Sequence, residues 1–126
     1  LARIVEREPI DFVQVNYNIR ARNAERRLLP AAADNGVATL VNEPFESGRL
    51  FRLTRGHAVP AWAREEVGAG TWAQFFLKFI AGHPAVTCAI PATSDPGHAA
   101  DNIAAVRGPL PDPGTRTRMA RHVAGL

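Results

Sequence analysis

Three short apolar segments, each followed by a stretch with helical periodicity, constrain the fold of this chain most. Branched and aromatic residues predict strands over 10–18, 37–42 and 86–90. Strands that alternate with helices pair in parallel through right-handed crossovers. The second segment is apolar at nearly every position, which is typical of a strand buried on both faces of a parallel sheet. The sequence therefore predicts an α/β fold.

Local signals place the intervening helices. Asn23 is expected to cap a helix that Gly36 ends, with Pro30 kinking it or delaying its start. Thr71 is expected to cap the clearest helix, which ends at Gly82 and repeats apolar residues at helical spacing: Trp72, Phe75, Phe76, Phe79 and Ile80.

The other connections are predicted from turn and cap residues. A helix is expected over 96–107, a short helical piece over 61–67, and a last helix from Asp112-Pro113 to Val123. A long loop is expected over 43–60.

The number of units sets the architecture. A (β/α)₈ barrel runs to about 250 residues, whereas this chain has 126 residues. Three β/α units with a C-terminal helix predict one domain over 1–126, the C-terminal half of a TIM barrel. Residues 1–7 are predicted to be the last part of a helix. Three strands cannot close a barrel, so open edges and an uncovered face are expected. A piece of an open doubly wound sheet is the alternative.

Composition argues against several classes of function. No apolar run is long enough to cross a membrane and no signal peptide is visible, so the cytoplasm is the default compartment, although an export signal could lie upstream. The net charge is +3, but the cations are scattered, so no nucleic-acid interface is predicted. The spacing of histidines and cysteine predicts no metal site. Cys88 is expected as a buried core thiol and Lys78 as a solvated side chain.

Each predicted strand becomes polar at or just beyond its C-terminal end. The polar residues are Gln14, Asn16, Asn18, Asn42, Glu43, Thr93 and Ser94. Residues that leave a sheet often form turns, which explains any one of them. The same pattern on three strands predicts a ligand site, because α/β enzymes bind ligands at this edge.

The third junction has a further feature. Its apolar run breaks at Ile90-Pro91, and Asp95 and Pro96 then have the types preferred at the N-cap and first position of a helix. The N–H groups at a helix start favour phosphate.

Four segments together resemble the aldo-keto reductases. The order Ile-Pro-x-Thr-Ser at 90–94, followed by Pro, His and an acidic residue before Asn, is similar to the last strand and helix of that family. Residues 13–18 resemble its sixth strand, 42–50 the exit of its seventh strand, and 71–84 its seventh helix. The resemblance covers the chain from Ile10 to Leu126.

This resemblance implies an oxidoreductase that uses NADP or NAD to reduce small carbonyl compounds to alcohols. Gln14 would bind the nicotinamide carboxamide, and the exit of the seventh strand would lie along the nicotinamide and pyrophosphate with Asn42, Glu43, Phe45 and Ser47. The last strand and helix would hold the adenosine-phosphate end with Ile90, Ala92, Thr93, Ser94, His98, Asp101 and Asn102.

Three positions depart from the family pattern. Asn42 stands where the family stacks a Tyr under the nicotinamide, so an aromatic platform would have to come from Tyr17 or Phe45. Ala92 and His98 stand where many relatives carry Lys and Arg that pair with a 2′-phosphate, so the choice between NADP and NAD stays open.

The family's catalytic Asp, Tyr, Lys and His come from its first four strands, which have no counterpart here. The isolated chain is therefore predicted to be inactive, since Tyr17 and Lys78 do not replace them. The alternative is a non-catalytic half-barrel that binds nucleotide or a partner subunit and self-associates through its open sheet edges.

Overall fold

The computed structural model describes residues 1–126 and shows an α/β fold with three strands. The predicted strands and helices are present; α4 has its predicted bounds, and most of the others differ. The elements are α1 (Ala2–Arg7), β1 (Phe12–Asn16), a 3₁₀ helix (Asn23–Arg26), α2 (Leu28–Asp34), β2 (Ala38–Asn42), α3 (Arg49–Leu53), α4 (Ala61–Val67), α5 (Trp72–Ala81), β3 (Cys88–Ala89), α6 (Pro96–Ala104) and α7 (Pro113–Ala124).

The strands form one parallel sheet in the order β1-β2-β3. Val13 and Val15 of β1 are buried, whereas Phe12, Gln14 and Asn16, which alternate with them, are exposed. The pairing of Gln14 with Leu40, and of Leu40 with Cys88, places these three residues in one row on the less covered face. The prediction that the second strand is buried on both faces is therefore wrong, because no helix covers that face.

The uncovered face changes the interpretation of Cys88. The predicted buried thiol is exposed, and its strand spans two residues instead of the expected five from Val86 to Ile90. Phe12 at 60% and Ile90 at 44% are also exposed. The pattern of apolar and polar residues along a short strand cannot show whether another layer of the fold covers each of its faces.

Helix α5 forms the centre of the core. Thr71 Oγ1 accepts a hydrogen bond from Gln74 N–H, which confirms the predicted cap. Six consecutive residues, from Phe75 to Ile80, are buried. The helix ends at Gly82, where Pro111 packs so closely that a Cβ would lie 2.6 Å from the Pro111 carbonyl oxygen.

Lys78 is one of those six buried residues, so the prediction of a solvated side chain is wrong. Its Nζ donates hydrogen bonds to the carbonyl oxygens of Arg107 (2.9 Å) and Pro109 (3.0 Å). Burial lowers the pKa of the Lys78 ammonium. The side chain fastens α5 to the segment that follows α6.

A buried polar cluster holds α7 against α5 and against the segment that follows β1. Arg116 donates hydrogen bonds to the Phe79 carbonyl oxygen (2.9 Å), to Glu25 Oε1 (2.9 Å) and to the Tyr17 hydroxyl. The Tyr17 hydroxyl donates in turn to Glu25 Oε1 (2.5 Å), and Arg22 donates to Glu25 Oε2 (2.8 Å). Because the charges are paired and hydrogen-bonded, the cluster is tolerated in the interior.

The cluster shifts the pKa values of its members. Burial raises the pKa of the Glu25 carboxyl, but hydrogen bonds from Arg22, Tyr17 and Arg116 outweigh burial and lower it to about 2. Burial and the hydrogen bond to Glu25 raise the pKa of the Tyr17 hydroxyl. Glu25 is thus ionised and Tyr17 neutral at ordinary pH.

Three segments outside the strands differ from the predictions. The helix expected from Asn23 begins as a 3₁₀ helix without a side-chain cap, and α2 starts only at Leu28. Pro30 then lies in the first turn, where its missing N–H costs no hydrogen bond. The loop expected over 43–60 contains α3. The helix expected to reach Arg107 ends at Ala104.

None of the helices has the length and apolar composition that crossing a membrane requires.

Candidate functional site

A cavity of about 400 Å³ lies at the C-terminal side of β3, between α5, α6 and the segment after β2. Aromatic and polar side chains share its walls. The lining residues are Phe45, Phe51, Thr71, Trp72, Ala73, Ala92, Thr93, His98, Asp101 and Asn102. Its volume and mixed lining are typical of a small-molecule site.

A second cavity of about 370 Å³ shares Phe45, Phe51 and Ala92 with the first. The segment after β2 and the segment after β3 line it: Glu43, Pro44, Phe45, Ser47, Gly48, Phe51, Ile90, Pro91 and Ala92. The two cavities are therefore neighbours along the edge of the sheet where the strands end.

The segment after β2 has an uncommon backbone. Glu43, Glu46 and Ser47 have φ values of 55°, 53° and 50°, and Gly48 follows at 79°. Ser47 Oγ donates to Glu43 Oε2 (2.9 Å), and Asn18 Nδ2 donates to the Glu43 carbonyl oxygen (3.0 Å). Such non-glycine conformations cost energy and cluster at ligand-binding segments, which agrees with the position of this segment at both cavities.

Asp101 fixes α6 to the start of α5. Its Oδ2 accepts a hydrogen bond from Thr71 Oγ1 and its Oδ1 accepts one from Gln74 Nε2, both at 2.6 Å. The same threonine thus caps α5 and orients α6. This contact holds one wall of the larger cavity against the opposite wall.

The start of α6 agrees with the sequence prediction. Asp95 Oδ1 accepts a hydrogen bond from His98 N–H at 3.0 Å, which lowers the pKa of the Asp95 carboxyl. Thr93 Oγ1 accepts from Asp95 N–H at 3.1 Å. Part of the hydrogen-bonding capacity that the helix start could offer to an anion is therefore used within the chain.

The structure brings most of the predicted site residues together. Nine of them line the two cavities: Glu43, Phe45, Ser47, Ile90, Ala92, Thr93, His98, Asp101 and Asn102. Gln14 lies on the uncovered face of β1 and Ser94 is exposed beside the cavity wall. Asn42 ends β2, and its side-chain oxygen is buried without a hydrogen-bond partner. Their roles stay predictions.

Tyr17 does not provide the aromatic platform considered for the site, because it is fully buried in the Arg116 cluster. Phe45 does lie at the cavities, with its ring centroid 4.8 Å from that of Phe51. The sequence missed Phe51, since it lies on α3 in the expected loop. The sequence also missed Trp72 as a site residue, because it belongs to the apolar repeat of α5, whereas its position after the Thr71 cap places it at the cavity.

No group of three or more His, Cys, Asp or Glu side chains is arranged to hold a metal ion. The polar groups of the site are carboxylate, hydroxyl, amide and imidazole. They can position a polar organic ligand.

Comparison with known proteins identifies the family. The model of the Aldo/keto reductase family matches residues 3–115. The chain belongs to the aldo-keto reductase family. Members of this family are oxidoreductases that generally use NAD(P)H. No curated protein matches the chain in sequence.

Solved aldo-keto reductases share the fold. The thermostable aldo-keto reductase Tm1743, in complex with the inhibitor epalrestat, matches with a TM-score of 0.67 and 24% identity over 93% of this chain and 41% of that chain. The apo form of aldo-keto reductase AKR11C1 from Bacillus halodurans matches with a TM-score of 0.69 and 18% identity over 96% of this chain and 46% of that chain. This chain therefore spans less than half the length of these structures, and its fold is a partial TIM barrel.

Proposed function

We propose that this chain forms the cofactor-binding part of an aldo-keto reductase that reduces carbonyl compounds to alcohols with NAD(P)H. The observation that carries the proposal is the pair of neighbouring cavities at the C-terminal edge of the sheet. Nine predicted cofactor-binding residues, from three separate stretches of sequence, line them. Ligands of α/β barrels bind at this edge.

The residues present fit a dinucleotide. The larger cavity, with Trp72 and Phe45 beside Asn102, has the apolar surfaces and polar edge that a purine requires. The neighbouring segment with Ser47 and Gly48 offers a hydroxyl and a close backbone for the pyrophosphate. In this proposal Gln14, on the uncovered face of β1, binds the nicotinamide carboxamide.

The bound cofactor would supply a hydride, whereas this chain's own residues bind and orient it and keep water from part of its surface. In this proposal, the proton that reduction of a carbonyl requires does not come from this chain. The hydroxyl of Tyr17 and the ammonium of Lys78 are both buried and hydrogen-bonded away from the cavities. In the proposed enzyme the proton donor comes from other strands of the barrel.

Calorimetric titration of the purified chain with NAD⁺ and with NADP⁺ tests the binding role. At least one cofactor is expected to bind, and Asn102→Ala is expected to weaken that binding about tenfold through the loss of a hydrogen bond. Thr117→Ala, on α7 and outside both cavities, serves as the control. Absence of binding by a folded chain contradicts the proposal.

A separate assay tests the catalytic part. The chain alone is expected to consume neither NADH nor NADPH with aldehydes or ketones. Measurable turnover would place a proton donor within these residues.

The uncovered face supports a second candidate function, a non-catalytic half-barrel that associates with another subunit. Phe12, Leu40, Cys88 and Ile90 place apolar atoms on this face, and Phe12 is 60% exposed. Burying them requires other strands or a second copy. Sedimentation would show a concentration-dependent dimer if a second copy covers the face, and a monomer with nucleotide affinity would contradict this candidate.

A further inference from the structure

We infer that the larger cavity selects a dinucleotide with a free adenosine ribose, NAD(H), over one with a 2′-phosphate, NADP(H). The inference rests on the proposed cofactor-binding function and specifies its ligand. It assigns specificity to His98 and Ala92, two side chains on the cavity wall formed by the segment after β3 and by α6.

The lining of the cavity lacks a permanent cation. The chain has fifteen Lys and Arg residues, yet none of the ten residues that line this cavity is either type. His98 is the only lining residue that can become cationic, and Asp101 supplies a carboxylate instead. A phosphate dianion is held best by guanidinium or ammonium groups, which this wall does not provide.

The start of α6 does not compensate for this lack. The Asp95 carboxylate accepts a hydrogen bond from the His98 backbone N–H (3.0 Å), so a negative charge already occupies the helix start. The Asp95 N–H is bonded to Thr93. A 2′-phosphate in the cavity would thus meet the Asp101 carboxylate of the lining, and like charges repel most strongly where water is partly excluded.

The same groups suit ribose hydroxyls. Each Asp101 oxygen accepts one hydrogen bond, from Thr71 or Gln74, and retains a free lone pair. The Thr71 and Thr93 hydroxyls add further acceptor oxygens to the wall. A ribose hydroxyl can donate a proton to any of these oxygens, whereas a phosphate dianion has none to donate. Hydrogen bonding and charge therefore favour the same ligand.

Titration of the purified chain with NAD⁺ and NADP⁺ at neutral pH tests the inference, because the two probes differ only by the 2′-phosphate. NAD⁺ is expected to bind at least about tenfold more tightly. Equal or tighter binding of NADP⁺ overturns the inference and leaves the proposed function intact. If neither probe binds to the folded chain, the proposed function fails, and the inference fails with it.

Two charge-adding variants locate the selectivity. Ala92→Lys and His98→Arg are each expected to raise the affinity for NADP⁺ about tenfold and to change that for NAD⁺ less than threefold. Ala33→Lys, on the exposed surface of α2, adds the same charge outside the cavity and is expected to change neither affinity. If all three variants strengthen NADP⁺ binding equally, overall charge and not the cavity wall determines selectivity, which contradicts the inference.

Discussion

Helices α5 and α6 pack against each other and differ in what they bury. Six consecutive residues of α5 are inaccessible to solvent, whereas α6 buries none. Asp95 caps the start of α6, and Asp101, further along the helix, fixes it to the start of α5. The stability of the domain therefore resides on the α5 side, whereas one wall of the larger cavity is built on a helix that contributes little to the core.

The largest expected effect compares one apolar side chain from each helix. Phe76→Ala in α5 should reduce the free energy of unfolding by about 3–5 kcal/mol, because it removes a fully buried ring. Ile103→Ala in α6, at a side chain that is 58% exposed, should change it by less than about 0.5 kcal/mol. Urea denaturation followed by circular dichroism measures both, and similar losses would show that α6 belongs to the core.

The Arg116 cluster extends the stable side to α7. Arg116→Met should reduce the free energy of unfolding by about 3 kcal/mol, because it takes away the side-chain donor to the Phe79 carbonyl and one of the two arginines that pair with the Glu25 carboxylate. Arg118→Met, at an exposed ion pair with Glu66, is the matched control and should cost less than about 1 kcal/mol. The prediction fails if the two substitutions are equally tolerated in thermal and urea unfolding.

Acid should weaken the same cluster. The pKa of Glu25 is about 2 in the folded protein against an ordinary value of 4.5. The unfolded chain therefore takes up this proton first as pH falls, so the stabilisation is complete above pH 4.5 and is lost towards pH 2. Over this pH range the free energy of unfolding should fall by about 2 kcal/mol more in the unmodified protein than in the Glu25→Gln variant, which has no titrating group at this position. Identical pH profiles would show that the carboxylate is not held ionised.

The smallest expected change in stability comes from a comparison of two similar helix starts. Asp95 caps α6 and Asp112 caps α7, and a proline follows each of them. Asp112→Ala should cost about 1 kcal/mol of global stability, whereas Asp95→Ala should change global stability by less than about 0.5 kcal/mol. Asp95→Ala should instead accelerate hydrogen exchange over 96–104. Equal global losses would indicate that α6 unfolds only with the whole domain.

The sequence predicted what local patterns determine. The Thr71 and Asp95 caps are confirmed, as is the start of the last helix at Asp112-Pro113, because a helix start depends on residues within one turn. The cap predicted at Asn23 is wrong. The parallel sheet is also confirmed, since its apolar segments alternate with helical ones. The family resemblance indicated twelve candidate site residues, and nine of them line the two cavities at one edge of the sheet.

Long-range contacts account for what the sequence missed. The acceptors of Lys78 lie 29 and 31 residues away, so nothing in its own helix indicated burial. The exposure of Cys88 depends on whether other parts of the fold cover its face of the sheet, which the short strand itself does not indicate. Helix α3 follows residues in the left-handed region, at Glu46, Ser47 and Gly48, a backbone that the composition of the segment did not indicate.

The bond between Tyr17 and Arg116 joins positions 99 residues apart. The N-terminal residues leave the ribosome first. Tyr17 and Glu25 therefore emerge while Arg116, whose guanidinium bonds to both of them, is not yet synthesised or still lies in the exit tunnel. Contacts of such large sequence separation form late in folding. The interior of this domain thus closes after synthesis of its last helix, and chaperones that bind nascent chains would meet it with its central carboxylate still lacking this partner.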